Sequence, residues 1–151
     1  MATTIIRTPV AEDLPAIAAI ESVSDAEPWS PDALASHLAQ VHALDAVAES
    51  GSTIIGFVCC GFAGDDLEVY KLAVDASWRR KGVAASLLRH IIGIASKKGI
   101  RRVYLEVARS NAAALRLYEG LGFEESYRRR NYYGAHGDDA LVMSLAVASS
   151  G

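Results

Sequence analysis

A chain of 151 residues with 51% hydrophobic and 22% charged residues has the make-up of one globular domain over residues 1–151 and leaves no room for a long disordered tract. Its formal net charge of -3 argues against the broad basic surface that sequence-independent nucleic-acid binding requires. Apolar runs fall far short of the roughly 20 residues of a membrane-spanning helix, and the opening Met1 to Arg7 lacks a secretory signal's layout, so a cytoplasmic protein without nucleic-acid or membrane partners is expected.

Thr4 to Val10 reads as a short strand, and Ala11-Glu12-Asp13-Leu14-Pro15 sets acidic residues and an early proline at the start of a helix whose apolar positions are Ile17, Ile20 and Val23. Ser30 is placed to cap a second helix, with Pro31 at its first position, running to about Val41. From Leu44 to Leu72 the period changes to two: Leu44 to Glu49, a turn at Ser50-Gly51, Thr53 to Phe62, a turn over Ala63 to Asp66, and Leu67 to Val74 form an antiparallel meander. Cys59 and Cys60 are adjacent within it and face opposite sides, which disfavours a disulfide and leaves two small buried side chains.

Lys81 to Lys98 is the longest helical pattern, with Val83, Leu87, Leu88, Ile91, Ile92 and Ala95 as its stripe and Gly99 as its stop. Arg102 to Val107 is a strand, Asn111 to Leu121 a helix closed by Gly122, and two strands follow from Phe123 to about Tyr132 and from Asp139 to Val147, with residues 148–151 as a tail. The order β-α-α-β-β-β-α-β-α-β-β implies an α/β domain: a mixed, mostly antiparallel sheet of about seven strands with helices on both faces. The histidines His37, His42, His90 and His136 have no metal-ligand spacing, so they are read as surface or core fillers and no metal is assigned.

Three segments can carry chemistry. Between the strand ending at Val74 and the helix after Gly82 lies a short basic turn, Arg79-Arg80-Lys81-Gly82, whose backbone N–H groups and helix dipole could hold a diphosphate; a solvated basic turn is the alternative. Alternation in Arg102 to Val107 puts Tyr104 and Glu106 opposite Val103, Leu105 and Val107, so Glu106 is either at a wet sheet end or a partly buried general base. On the helix after the Asn111 cap, Tyr118 is either core or, if aimed at a cleft, a proton donor.

Taken in order, Pro28-Trp29-Ser30, Leu72-Ala73-Val74-Asp75 leading into Arg79 to Ala84, Leu105-Glu106-Val107 with Ser110 to Ala114 and Leu117 to Phe123, and Arg129 to Tyr133 make the sequence resemble the GNAT acetyltransferases, in particular the RimI-type ribosomal-protein-alanine N-acetyltransferases. The resemblance covers nearly the whole chain. It implies acetyl-CoA as co-substrate, with Arg79, Arg80, Lys81, Gly82, Val83 and Ala84 around the pyrophosphate, the backbone of Leu72, Ala73 and Val74 along the pantetheine and acetyl group, and Asn111 and Tyr118 beside the thioester. It further implies direct attack by an amine with Glu106 as general base and Tyr118 as general acid, and an acceptor side built from Trp29, Tyr70, Lys71, Tyr132 and Tyr133.

The implied acceptor is a protein N-terminus, of a ribosomal protein in this branch; a small amine, a lysine side chain, or a non-catalytic acyl-CoA-binding role are the alternatives, and a monomer is the default expectation. An α-amine of pKa about 7.7–8.0 is substantially neutral near pH 7.5, whereas lysine near 10.4 is about 3.5 kcal/mol harder to deprotonate. Glu21, Asp25 and Glu27 flank the Pro28-Trp29 break and could attract a basic peptide, or simply be a solvated helix end. Lys71 departs from the neutral polar residue expected there, and a cation beside the acceptor would repel such a peptide.

Overall fold

The computed structural model describes residues 3–25, 27–129 (backbone only for 127–129) and 139–148. Seven strands form one sheet: β1 (Thr4–Arg7), β2 (Ala43–Ser50), β3 (Thr53–Ala63), β4 (Asp66–Val74), β5 (Arg102–Ala108), β6 (Glu124–Arg129) and β7 (Ala140–Ala146). Their spatial order is β1-β2-β3-β4-β5-β7-β6, and every neighbouring pair is antiparallel except β4 with β5. The helices are α1 (Leu14–Ser24), α2 (Pro31–Leu38), α3 (Val83–Lys97) and α4 (Ala112–Gly120), with 3-10 turns at Ala11–Asp13 and Ala76–Trp78 that the sequence pattern did not announce.

The sheet separates two cores. On one face α3 buries Val83, Leu87, Leu88, Ile91 and Ala95 against Leu67, Val69, Val103 and Leu105, and each large side chain so buried contributes about 1.5–3 kcal/mol. On the other, α1 and α2 cover Val47, Phe57, Cys59 and Ala73 with Ile17, Ile20 and Leu34. Cys59 and Cys60 fall in opposite cores, as alternation requires, and burial raises both thiols. The first core is closed by α4, whose partly buried Ala114, Leu117 and Tyr118 pack onto it.

Local signals explain most boundaries. Ser30 Oγ accepts the Ala33 N–H at 3.1 Å and Asn111 Oδ1 accepts the Ala114 N–H at 3.2 Å, each capping its helix. The second helix stops at Leu38 instead of running to Val41, because Gln40 N–H turns back to His37 C=O at 3.1 Å and Ala43 N–H to Gln40 C=O at 3.2 Å, leading the chain into β2. The first strand ends at Arg7, whose guanidinium turns to Asp13 at 2.7 and 2.9 Å and to Glu49 at 2.7 Å. Tyr132 and Tyr133 lie outside the described residues, as does all of the 148–151 tail except Ala148. Ala148 is tied back to α3 by Ser96 Oγ, which donates to its carbonyl at 2.6 Å.

Candidate active site

Two irregularities in β4 open the sheet. Its parallel pairing with β5 covers only Asp66 to Glu68 against Arg102 to Tyr104, so beyond Glu68 the two strands part. Between Cys59 and Cys60 the register with β3 slips: Cys59 faces Lys71 and Cys60 faces Val69, which leaves Tyr70 as the extra residue of a β-bulge. Side chains change parity across it. Leu67 and Val69 point into the α3 core, then Leu72 and Val74 do, and Ala73 joins the α1/α2 core. Consecutive Tyr70 and Lys71 are thereby both available to the α1/α2 side.

The parted strands line a cleft of about 310 Å³ with Tyr70, Lys71, Leu72 and Ala73 on one wall and Leu105, Glu106 and Val107 on the other. Tyr118 of α4 with its cap Asn111, and Glu21 and Ser24 of α1 with Asp25 just after it, complete it. Glu106 is half-buried on the non-core face of β5, as the alternation anticipated. Burial pushes the Tyr118 phenol up to about 12, and its ring packs 5.9 Å from that of Phe123.

A second hollow, of about 230 Å³, continues along Val74, Trp78, Arg79, Arg80, Gly82 and Val83, with Ala113 and Leu117 of α4 opposite. Arg80 (φ 62°) and Gly82 (φ 81°) both adopt left-handed backbone, a conformation that turns successive N–H groups to one side just where α3 begins. A Cβ added at Gly82 would meet nothing within 4 Å, so the space beside the turn at this residue is open. Left-handed turn, adjacent guanidinium groups and free first-turn N–H groups together suit a diphosphate. Lys81 does not line this hollow; its ammonium lies 5.1 Å over the Trp78 ring, a contact the sequence pattern did not reveal.

The acceptor side is ordered by ion pairs and aromatic contacts. Glu21, 1% exposed, accepts the Trp29 N–H at 2.9 Å and pairs with Lys71 at 3.0 Å, while Asp25 pairs with the same ammonium at 2.6 Å. Partial burial lowers the Lys71 pKa, but the hydrogen bonds it donates to Asp25 and Glu21 outweigh that and hold the group above its ordinary value. Lys71 is thus a neutralised strut between β4 and α1, not an isolated cation facing the acceptor. By the same pairing Glu21 is neither a solvated helix end nor a free attractant for basic peptides. The Lys71 ammonium also lies 5.5 Å from the Trp29 ring. Tyr70 lies across Gly61, where an added Cβ would come within 2.7 Å of its hydroxyl.

Tyr70 and Glu106 border a further cavity of about 370 Å³ floored by Leu67, Leu105 and Val142. Asp66 and Glu68 also line it, no lysine or arginine does, and neither carboxylate has an ion pair among the described residues. Lys71 offsets one of the two negative charges of Glu21 and Asp25, and Asp66 and Glu68 of β4 add negative charge around the larger cavity.

With this geometry the comparisons with known proteins agree. Residues 14–123 match the model of the Acetyltransferase (GNAT) family. The chain belongs to the GNAT acetyltransferases. Within the family it is 36% identical over 138 residues, 90% of its length and 93% of the relative's, to the [Ribosomal protein bS18]-alanine N-acetyltransferase of Escherichia coli K12. It is also 36% identical over 121 residues, 78% of its length and 75% of the relative's, to the N-alpha-acetyltransferase RimI of Mycobacterium tuberculosis. The crystal structure of the ribosomal-protein-S18-alanine N-acetyltransferase from Escherichia coli superposes with a TM-score of 0.90 at 34% identity, covering 99% of this chain and 97% of that one. The GNAT chain is accordingly an acetyl-CoA-dependent N-acetyltransferase with the RimI-type fold that its motifs resemble. Among its described helices none is long and apolar enough to cross a membrane.

Sequence reasoning missed several residues of this GNAT site. Trp78, Ala113 and Leu117 line the hollow beside the basic turn, and the His37 ring stands 5.8 Å from that of Tyr70. Trp78 stood next to the basic turn and could have been found from that; His37 had no local signal.

Proposed function

We propose that this N-acetyltransferase acetylates the N-terminal α-amine of a protein, with an N-terminal alanine of a ribosomal protein as acceptor. The observation that carries the reading is the acceptor side: the cleft that holds Glu106 shares Tyr70 and Leu105 with the larger cavity beside Asp66 and Glu68, which no lysine or arginine lines among the described residues. A small amine would need only the cleft, whereas a peptide whose first residue enters the cleft has room for the next ones, and the unpaired carboxylates favour basic side chains there. The names of the relatives point the same way.

Acetyl-CoA supplies the thioester whose acyl carbon the amine attacks. Arg79, Arg80 and the first-turn N–H groups of α3, beside Lys81, Val83 and Ala84, hold its diphosphate, and Leu72, Ala73 and Val74 offer backbone groups along the parted edge of β4, with Asn111 across the cleft. Glu106 accepts the proton of the incoming ammonium, directly or through one water, at the non-core face of β5. Tyr118, with its phenol at about 12, stays protonated at working pH. Giving that proton fully to a sulfur of ordinary thiol pKa, about 8.5, would be uphill by about 5 kcal/mol, so its general-acid role is to donate a strengthening hydrogen bond as charge develops on the sulfur. Trp29, Tyr70 and the Lys71 strut shape the entry on the acceptor side, and Tyr132 and Tyr133 are assigned to the same side from sequence.

The test is CoA release from acetyl-CoA by the purified protein with three acceptors in parallel: a basic peptide starting with alanine, the same peptide with a blocked N-terminus and free lysines, and a panel of small amines. Turnover confined to the unblocked peptide supports the reading. Turnover confined to the small amines moves the function to small-molecule acetylation, and turnover of the blocked peptide moves it to lysine.

A further inference from the structure

Behind the acceptor aromatics lies a buried polar pair that the chemistry above does not use. His37, on the inner side of α2, places Nε2 2.7 Å from Asp45 Oδ1 on β2, and both side chains are 7% exposed. The same Asp45 oxygen accepts the Cys60 backbone N–H at 3.1 Å. A carboxylate oxygen accepts, so Nε2 carries the hydrogen and the imidazole plane is pinned at one end. The ring then meets Tyr70 edge-on, with centroids 5.8 Å apart at 90°, and Trp29 at 5.6 Å and 52°. Trp29 and Tyr70 touch each other at 6.2 Å, which closes a three-ring cluster.

The backbones of the two outer aromatics are fixed elsewhere, Trp29 by Glu21 and Tyr70 by the bulge in β4. Their rings are a separate matter. Tyr70 is 44% exposed and forms part of the wall of both the catalytic cleft and the larger cavity. A ring so exposed has several rotamers open to it unless a neighbour selects one. The imidazole is the one member of the cluster tied by a short hydrogen bond to the sheet, so it is the fixed point against which the other two rings settle.

We propose that His37, held by Asp45, is the positioning residue of the acceptor wall: it sets the Trp29 and Tyr70 rings so that they receive the first residues of a peptide acceptor. The proposal rests on the peptide reading given above. It differs from plain structural anchoring in what it requires of residue 37. An anchor between α2 and β2 needs only a donor at the Nε2 position, whereas positioning needs the ring.

The variants His37→Gln and His37→Ala separate the two. Glutamine keeps an amide N–H for Asp45 and removes the ring; alanine removes both. For His37→Gln, the expected result is a melting temperature near that of the unchanged protein, KM for the alanine-starting peptide raised about tenfold, the scale of two lost ring contacts, and kcat and the KM for acetyl-CoA within about twofold. His37→Ala should show the same rise in peptide KM together with a lower melting temperature. Near-UV circular dichroism of the ligand-free His37→Gln protein should change, because the Trp29 and Tyr70 environments depend on the imidazole whatever the acceptor. Unchanged peptide KM in His37→Gln, an equal loss in acetyl-CoA binding and kcat, or an unchanged near-UV spectrum would each overturn the proposal. If the unchanged protein does not turn over the peptide, the peptide reading fails by itself, and the spectrum together with the KM for whichever amine is accepted still decides the role of His37.

Discussion

Replacing Gly82 by valine separates the two things this residue does. Its backbone sits at φ 81° and ψ 9°, where an L-residue costs about 1–2 kcal/mol and a β-branched one the upper end. No protein atom lies within 4 Å of an added Cβ, so packing adds nothing to that cost. For a chain of this size 1–2 kcal/mol corresponds to a fall in melting temperature of about 3–8 °C. Affinity for acetyl-CoA should fall much further. With the diphosphate held in the open space beside this turn, new methyl groups there would displace it, and two lost charge-assisted hydrogen bonds at about 1.5–3 kcal/mol each imply a loss of at least a hundredfold. Titration calorimetry with acetyl-CoA, run beside thermal melts of Gly82→Val and Gly82→Ala, reads both effects. A valine variant that is folded and binds acetyl-CoA as the unchanged protein does would refute the assignment of this turn to the diphosphate.

Glu106→Gln should lower kcat by about 10²–10⁴-fold while leaving acetyl-CoA affinity within about twofold, measured by single-turnover kinetics and calorimetry; equal loss of both would remove Glu106 from the role of base. Because burial holds the Tyr118 phenol near 12, the unchanged enzyme should show no loss of rate from this group up to about pH 10, and Tyr118→Phe should lower kcat at every pH without shifting the profile; a profile whose alkaline limb vanishes in Tyr118→Phe would contradict this. Lys71→Met strands Glu21, 1% exposed, and should cost about 3–5 kcal/mol, read by chemical denaturation, with Glu21→Gln in the same chain recovering a large part of it. The Arg7 hydrogen bonds, against the opposing effect of burial, hold the Asp13 carboxyl below the usual range. Its contribution is therefore complete above an unfolded pKa of about 3.9 and is lost as pH falls through the lower folded value, so Asp13→Asn should lower the melting temperature at pH 7 and flatten its decline below about pH 4.

The parts of the fold that obey a local period were legible. The stripe from Val83 to Ala95 and the alternation from Val103 to Val107 reappear as buried faces, and the Ser30 and Asn111 caps rest on side-chain hydrogen bonds within three residues. The basic turn before α3 was legible because charge, glycine and helix start are contiguous, and the structure shows it with left-handed backbone at Arg80 and Gly82. What the sequence hid is non-local. His37 and Asp45 lie on a helix and a strand that meet only in three dimensions, and nothing in their spacing joins them. Glu21 looked like part of an acidic surface because its partners, Lys71 and the Trp29 N–H, come from different segments. The bulge left a faint trace: Leu67 and Val69 would put Lys71 in the core, and the apolar parity resumes at Leu72 instead.

That single supernumerary residue also divides β4 into two stretches that can change independently. Upstream of Tyr70 the strand is registered by its neighbours on both sides, and downstream its edge has parted from β5. Tyr70 and Lys71 sit at the seam; Lys71 is fixed there by its pairs with Glu21 and Asp25, whereas the exposed Tyr70 can change with less effect on the two cores. Descendants of such a chain could exchange one amine for another through the single codon of Tyr70, keeping the transfer chemistry while the clientele drifts.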